Sequence, residues 1–193
     1  MEGIIHPLND DWMIGSFQFG GKRRTMDGGY TQDGVGNVEN GGWIAPLFYD
    51  PNDQMKIYSL GDKVTVSEDF GSTWNDLGTP FGLTESINYA TIAENDSNNI
   101  IVTRGSQIKL SIDGGSTFSS ISSGLPNNYI TDVVFDPNDD DTIIVTYGTY
   151  NGNNNKVYIS YNQGNTWANI TYNLGYLPVR SVVIDHTENS NIY

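Results

Sequence analysis

The chain of 193 residues contains no cysteine, so it has no disulfide, no thiolate nucleophile and no cysteine-based zinc site. It is also poor in cations, with nine Lys and Arg against 23 Asp and Glu and a formal net charge of −14. Phosphate backbones and anionic membrane surfaces bind through Lys and Arg, so we expect neither nucleic acid nor a membrane surface as a partner. No apolar run approaches the roughly 18 residues of a spanning helix, so we expect no membrane insertion. Met1-Glu2-Gly3 starts no signal peptide, so a secreted parent protein would carry its signal outside this sequence.

Turn-forming residues are abundant instead. There are 22 Gly, 22 Asn and 17 Asp, against only six Glu. Gly and Asn tolerate a positive φ, Asp bonds its own backbone in turns, and Glu favours helices. Aromatic residues make up 12% of the chain, which is sufficient for a packed core. The composition therefore predicts a folded chain with many turns and little helix.

One short motif recurs along the chain: a small polar residue, any residue, Asp, any residue, Gly, any residue, Thr and an aromatic. Residues 67–74 are SEDFGSTW, residues 111–118 are SIDGGSTF, and residues 160–167 are SYNQGNTW, with Asn in place of Asp. Residues 25–32, TMDGGYTQ, form a weaker copy in which Gln32 replaces the aromatic. The spacing of roughly 40 to 50 residues is typical of a repeat architecture.

A second motif, an apolar strand that ends in a turn, has the same period. It occurs at residues 4–10, 48–53, 92–96, 134–139 and 183–189. Short β-branched and aromatic runs lie between the two motifs, and in the fourth repeat they predict strands at 130–136, 142–146, 156–160 and 166–171. Four antiparallel strands per repeat is the size of one β-propeller blade. We therefore predict an all-β propeller segment spanning 1–193, with repeats near 4–47, 48–91, 92–133 and 134–182 and the start of a fifth at 183–193.

The first motif has a structural role in this scheme, in the hairpin between the third and fourth strands. Its Asp accepts backbone N–H bonds, its Gly supplies the φ that other residues avoid, its Thr bonds across the turn, and its aromatic packs between blades. The residues assigned to this role are Asp27, Asp69, Gly71, Thr73, Trp74, Asp113, Gly115, Thr117, Phe118, Asn162, Gly164, Thr166 and Trp167.

The repeats resemble the Asp-box, or bacterial neuraminidase, repeats of sialidases, sortilin-type receptor domains and the xyloglucanases of glycoside hydrolase family 74. The likeness covers nearly the whole chain and is nearest to secreted bacterial proteins of the sortilin and xyloglucanase-like type. It implies a secreted or cell-surface propeller. Since such propellers usually have six or more blades, it implies that this chain is a piece of a longer one; the alternative is a closed four-bladed ring. It is weak for function, because the relatives differ in what they do.

Catalytic candidates are few. A sialidase needs three arginines that bind one carboxylate together. The chain has only four arginines, and two of them are adjacent, so we do not expect sialidase activity. A glycosidase needs two carboxyl groups across a sugar cleft, and outside the motifs the candidates are Asp33, Asp62, Glu85 and Asp132. Asp62 is nearest in position to the family 74 catalytic aspartate, but the surrounding residues do not match. We expect Asp62 to be a hairpin-turn carboxylate.

Metal sites are equally weak. Asp139-Asp140-Asp141 offers the carboxylate oxygens that Ca²⁺ prefers, but it lacks the alternate spacing of a calcium loop. We expect it to be a solvated turn between the first and second strands, and we expect no cofactor. His6 and His186 occupy the same turn of different repeats and are not expected to share a metal.

Three aromatics are candidates for ligand binding, because a ring face can stack on a pyranose. Trp43 and Tyr129 each come just before a first strand, and Tyr150 opens the Asn-rich insertion that lengthens the fourth repeat. Loops on a rigid scaffold commonly carry binding. We therefore expect a non-catalytic binding or display propeller, with a polysaccharide or another protein as its partner. The alternatives are part of a glycoside hydrolase acting on a β-glucan such as xyloglucan, and an assembly factor like the photosystem II helper.

Overall fold

The computed structural model describes residues 2–37, 41–43, 45–82, 86–150, 155–187 and 191–193. They form two compact units, Met1–Asn88 and Tyr89–Tyr193. Each unit contains two four-stranded antiparallel sheets whose strands follow one another in chain order. The all-β prediction of four-stranded, blade-like sheets is confirmed.

The first unit holds the first two sheets. The first sheet consists of β1 (Glu2–His6), β2 (Asn9–Ser16), β3 (Gly21–Thr25) and β4 (Asp33–Asn37). The second consists of β5 (Leu47–Asp50), β6 (Asp53–Leu60), β7 (Val64–Ser67) and β8 (Asn75–Asp76). A short 3-10 turn, Gln18–Gly20, joins β2 to β3.

The second unit holds the other two. The third sheet consists of β9 (Tyr89–Ile92), β10 (Ile100–Arg104), β11 (Gln107–Ser111) and β12 (Ser119–Ser120). The fourth consists of β13 (Ile130–Asp136), β14 (Asp139–Tyr147), β15 (Val157–Ser160) and β16 (Ala168–Asn169). After it, Ile184 pairs with Ile192 in a short antiparallel bridge.

The predicted strands of the fourth repeat agree with this sheet to within one residue, except at two places. The second strand begins at Asp139 rather than at Thr142, because Asp139 pairs with Asp136 immediately after a two-residue turn. The fourth is only two residues long, because Thr166 is still bonded into the preceding hairpin through its N–H to Asn162 Oδ1. The repeat boundaries stay predictions.

Each unit has its own core between its two sheets. In the first, Ile4, Ile14 and Val35 of one sheet pack with Leu47 and Ile57 of the next. In the second, the cluster includes Ile101, Ile108 and Ile121 from one sheet and Val133 and Val145 from the other. β-branched residues at alternate strand positions suit this packing of sheet faces.

Every sheet has two distinct ends as a consequence of its antiparallel order. One end carries the turn between the first and second strands together with the Asp-box hairpin between the third and fourth, and we call it the box end. The opposite end carries the turn between the second and third strands together with the segment leading to the next sheet, and we call it the connection end. Among the described residues, no helix has the length and apolar character needed to cross a bilayer.

Candidate functional site

The third sheet shows how an Asp-box is held. Asp113 accepts bonds from the Thr117 N–H through Oδ1 (2.8 Å) and from the Thr117 hydroxyl through Oδ2 (2.6 Å). Ser111, at the start of the box, donates its hydroxyl to Asp113 Oδ1 at 2.7 Å. The same hydroxyl accepts the Gly115 N–H at 2.8 Å. The buried Ser111 hydroxyl is therefore the hub of the turn, a role that the sequence motif contains but that we did not assign.

The other boxes repeat this network. Asp69 accepts from Thr73 and from the Ser67 hydroxyl, and Asp27 accepts from Thr31 and from the Thr25 hydroxyl. In the fourth sheet Asn162 Oδ1 accepts the Thr166 N–H, while the Asn162 amide donates to the Thr166 hydroxyl at 2.9 Å. An amide therefore preserves the geometry of the turn without its charge.

The two residues after the box Asp or Asn both have positive φ. Gly114 and Gly115 have φ of 68° and 89°, and Gln163 and Gly164 have 53° and 80°. The first residue of each pair donates its backbone N–H to a carbonyl in, or just before, the second strand of its own sheet. Gln163, for example, donates to the Asp141 carbonyl at 2.8 Å. The second of the two residues is Gly in every box, because Gly adopts the left-handed conformation at no steric cost.

Hydrogen bonding also tunes the box carboxylates. Bonds from the Thr31 hydroxyl and N–H lower the pKa of Asp27 to about 2, and those of Thr117 do the same for Asp113. Burial alone would raise the pKa of Asp69, but the bonds from Thr73 outweigh it and the pKa is lowered. Bonds to the charged form keep these groups ionised, which makes them poor general acids.

Two of the box aromatics, Trp74 and Trp167, each join the two sheets of their own unit. Trp74 donates its Nε1–H to the Val35 carbonyl, and Trp167 donates its Nε1–H to the Ile121 carbonyl, both at 2.9 Å. Both indoles are half-buried, as is Phe118. Trp74 and Trp167 thus each contact the preceding sheet through a main-chain carbonyl.

Two of the box glycines, Gly71 and Gly164, lie against the preceding sheet. A Cβ added to Gly71 would lie 2.6 Å from Ile14 Cδ1, and one added to Gly164 would lie 2.7 Å from Ile121 Cβ. At these two positions Gly is therefore required both by its φ and by the close approach of the sheets.

The candidate catalytic carboxylates have different surroundings. Asp62 lies in the hairpin between β6 and β7, as expected, but only 1% of it is exposed. Asp132 accepts the Ser181 hydroxyl and the Val182 N–H, so it joins the fourth sheet to the segment that follows. Asp33 is exposed in β4, and Glu85 lies outside the described residues.

The acidic run in the fourth sheet differs from its prediction, because Asp139–Asp141 form the first residues of β14 rather than a free turn. Asp139 accepts the Thr142 hydroxyl, and Asp140 accepts the Asn95 side-chain amide at 2.9 Å. Within the described residues, no three His, Asp or Glu side chains come together as a metal site would require.

The two histidines are in different surroundings. The His6 ring is buried and contacts the rings of Trp12 and Phe70 edge-on, with both centroid distances at 5.2 Å. His186 is exposed, and its Nδ1 lies 3.4 Å from a carboxylate oxygen of Glu94.

Trp43 lies at the connection end of the first sheet. Its ring contacts a second aromatic ring, a pairing that the sequence analysis did not predict. Its ring meets the ring of Phe19 edge-on, with centroids 5.6 Å apart, and the two residues are 68% and 63% exposed. The Phe19 N–H donates to the Gly42 carbonyl at 3.1 Å. A Cβ on Gly41 would lie 2.7 Å from the Gly20 nitrogen, so Gly is needed for the two segments to approach.

Tyr129 and Tyr150 lie at the connection end of the fourth sheet. The Gly148 N–H donates to the Tyr129 carbonyl at 3.3 Å, which brings the two chain segments together. Both rings are largely exposed, at 51% and 69%. Residues 151–154 of the predicted Asn-rich insertion lie outside the described residues.

Solved structures with the same arrangement of strands are propellers. The GH74 enzyme of Niastella koreensis matches 94% of this chain and 31% of its own, at a TM-score of 0.64 and 20% identity. The GH74 xyloglucanase of Xanthomonas campestris matches 93% of this chain and 31% of its own, at 0.63 and 17%. A structure of YCF48 bound to D1 peptide matches 99% of this chain and 64% of its own, at 0.58 and 12%. The chain therefore spans about a third of these GH74 enzymes, and the likeness shows the fold alone.

Four-stranded sheets pinned by Asp-box hairpins, together with this structural likeness, define an Asp-box β-propeller. The profile of the Sortilin-Vps10 family, described as sortilin, neurotensin receptor 3, matches residues 61–193. The chain belongs to that family. No curated protein matches the chain.

Proposed function

We propose that this chain is a non-catalytic binding segment of a secreted or cell-surface propeller, and that it holds a carbohydrate chain against the Phe19–Trp43 ring pair. The observation that supports this most is the exposure of the two contacting rings at the connection end of the first sheet. Both residues are largely exposed, and aromatic faces stack on the apolar faces of sugars. The secreted or surface location rests on the resemblance to secreted propellers.

The backbone at Phe19 strengthens the argument. Phe19 has a φ of 61°, a conformation that costs a bulky residue about 1–2 kcal/mol. Burial does not compensate this cost, because 63% of the residue is exposed. An exposed apolar ring on a strained backbone has no evident role in folding, so we assign it to ligand contact.

The glycosidase alternative has less support. Asp62 is 1% exposed and so is shielded from a substrate at the surface, and Asp132 is engaged by Ser181 and Val182. Likeness to GH74 enzymes keeps this alternative open at the level of fold only.

Affinity gel electrophoresis against immobilised soluble β-glucans, including xyloglucan, tests the binding role. The parent chain should be retarded, and Trp43→Ala and Phe19→Ala should each weaken retardation at least about tenfold, because ring contacts dominate such sites. Tyr161→Ala is the matched control, since Tyr161 is also 68% exposed but lies in an Asp-box. Retardation that survives both ring substitutions would disprove the proposed site. Release of reducing ends from xyloglucan that disappears in Asp62→Ala would favour the enzyme instead.

A further inference from the structure

The turn that carries Phe19 is held from inside the sheet by a buried lysine. Lys22 is 3% exposed, and its Nζ donates to the Gly20 carbonyl at 3.2 Å. Phe19 and Gly20 are consecutive left-handed residues, with φ of 61° and 83°. The bond from Lys22 therefore fixes the orientation of the peptide group that directly follows them.

Lys22 also contacts a well-fixed part of the second sheet. Its Nζ lies 4.5 Å from the centre of a Trp74 ring. The Trp74 indole donates to the Val35 carbonyl at 2.9 Å, and a Cβ added to Gly36 would lie 3.1 Å from Trp74 Cδ1. Trp74 is thus held by both a hydrogen bond and close packing. Lys22 connects this fixed aromatic to the turn that carries Phe19.

An apolar residue occupies the place of Lys22 in the other sheets. Three residues before the first residue of each Asp-box, those sheets have Val64, Ile108 and Val157. Burial lowers the pKa of Lys22 to about 8, because desolvation penalises the ammonium. A lysine that opposes folding where an apolar residue would fit indicates a role other than stability, since functional sites are where such local rules are broken.

The second buried lysine among the described residues makes the same kind of contact. Lys156 is fully buried, and its Nζ donates to the carbonyls of Gly175 and Leu177, the latter at 2.6 Å. Leu177 itself is 73% exposed. In both cases a buried ammonium fixes the main chain of a connection-end segment that displays an apolar side chain.

We propose that Lys22 is the positioning residue of the ring pair, holding the Phe19 ring against Trp43 in the arrangement that binds carbohydrate. The inference rests on the proposed function of the pair. Because Lys22 is buried, it acts through Phe19 rather than on the sugar. Without the ammonium, the Gly20 carbonyl would face an apolar side chain and would turn towards water to regain a hydrogen bond. That rotation would move the Phe19 ring away from Trp43.

Affinity gel electrophoresis with xyloglucan compares the parent with Lys22→Met. Affinity should fall about threefold to tenfold, as expected if about a third to a tenth of the chains keep the binding conformation. Lys109→Met is the matched control, because it makes the same change of charge at a half-exposed lysine of β11, and it should bind like the parent. The urea midpoint of Lys22→Met should be no lower than that of the parent, which separates loss of binding from loss of fold.

Lys22→Arg separates the donor from the packing of the side chain. Arg keeps a cationic N–H donor, so this variant should bind at least about threefold better than Lys22→Met. Equal weakening in the Met and Arg variants would overturn the proposal, because altered packing would then explain the loss. If Lys22→Met does not fold, Lys22→Val, which copies Val64 of the second sheet, takes its place.

The ring pair itself gives a readout that a purely structural lysine would leave unchanged. The chain has four tryptophans, so 5-fluorotryptophan labelling gives four ¹⁹F signals, and Trp43→Phe identifies that of Trp43. In Lys22→Met this signal should move towards its position in Phe19→Ala, whereas in Lys109→Met it should stay.

The two readouts distinguish failure of this inference from failure of the proposed function. A parent that binds, together with a Lys22→Met variant of unchanged affinity or unchanged Trp43 signal, would overturn the role of Lys22 alone. A parent that binds no β-glucan would disprove the proposed function. The Trp43 signal would then still decide whether Lys22 holds the ring pair.

Discussion

Lys22 is a cation in a core position. It lies in β3 three residues before its Asp-box, where the other three repeats have Val64, Ile108 and Val157. It is 3% exposed, and its Nζ lies 4.5 Å from the centre of a Trp74 ring and 3.2 Å from the Gly20 carbonyl. Replacing Lys22 by Met keeps the length of the side chain and removes its charge.

Burial lowers the pKa of Lys22 from 10.5 to about 8, since desolvation penalises the ammonium. Such a depression corresponds to about 3 kcal/mol by proton linkage. Below pH 8 the lysine is charged in both the folded and the unfolded chain, so the penalty acts in full. Between about 8 and 10.5 the unfolded chain binds more protons, so the stability of the parent rises with pH. Above 10.5 the penalty is absent.

We therefore expect Lys22→Met to raise the free energy of unfolding by about 2–3 kcal/mol at pH 7, with the gain shrinking towards zero near pH 10.5. Urea unfolding of parent and variant at pH 7, 8.5 and 10 measures this. Lys109→Met is the control, a half-exposed lysine in the third strand of the third sheet, and it should show no comparable gain. A variant less stable than the parent at pH 7, or a difference that does not change with pH, would refute the reasoning.

Three further predictions concern the Asp-boxes. Gly29 and Gly164 both have positive φ, but a Cβ meets nothing within 4 Å at Gly29 and a side chain at 2.7 Å at Gly164. Gly164→Ala should therefore cost about 1–3 kcal/mol more than Gly29→Ala in urea titrations, and equal costs would contradict the packing. Ser111→Ala should cost about 1–3 kcal/mol, because it removes the acceptor of a buried N–H; an unchanged melting temperature would show that the hub is dispensable. The pKa of Asp113 is lowered to about 2, so its stabilisation is present above the ordinary value of 3.8 and is lost as the pH falls through 2. Asp113→Asn, which copies the Asn162 box, should weaken this acid dependence in melts between pH 2 and 5, and an unchanged profile would exclude the carboxylate as its cause.

The repeat itself could be predicted from sequence because its determinants are local. The box bonds join residues two to four positions apart, as from Asp69 to Ser67 and Thr73. Because the two motifs share one period, the sequence alone locates the hairpin between the third and fourth strands. No long-range contact has to be known for this. The short fourth strand was missed because the Thr of the box looks like a strand residue but is bonded into the turn.

The ring pair could not be predicted in the same way. Phe19 and Trp43 are 24 positions apart, and their contact depends on the left-handed conformation at Phe19 and on the approach of Gly41 to Gly20. Neither periodicity nor composition encodes such a loop geometry. Lys22 is a different case. Gly-Lys-Arg-Arg looks like a solvated run, and only alignment of the four boxes shows that its Lys has a core position.

The acidity of the chain is largely turn chemistry. Among the described residues, ten aspartates accept a backbone N–H from a residue one to four positions further along: Asp27, Asp50, Asp53, Asp69, Asp96, Asp113, Asp132, Asp136, Asp139 and Asp185. These are most of the 17 aspartates in the chain, so the excess of Asp over Glu follows from its ability to bond its own backbone.

Most of these carboxylates lie at the box ends, where the turns between first and second strands meet the Asp-box hairpins. The exposed rings of Phe19 and Trp43 lie at a connection end, whose turns rely less on carboxylates. Ligand contact at the connection end would therefore leave the hydrogen bonds of the Asp-boxes undisturbed, which is why substitutions of these rings can test binding separately from folding.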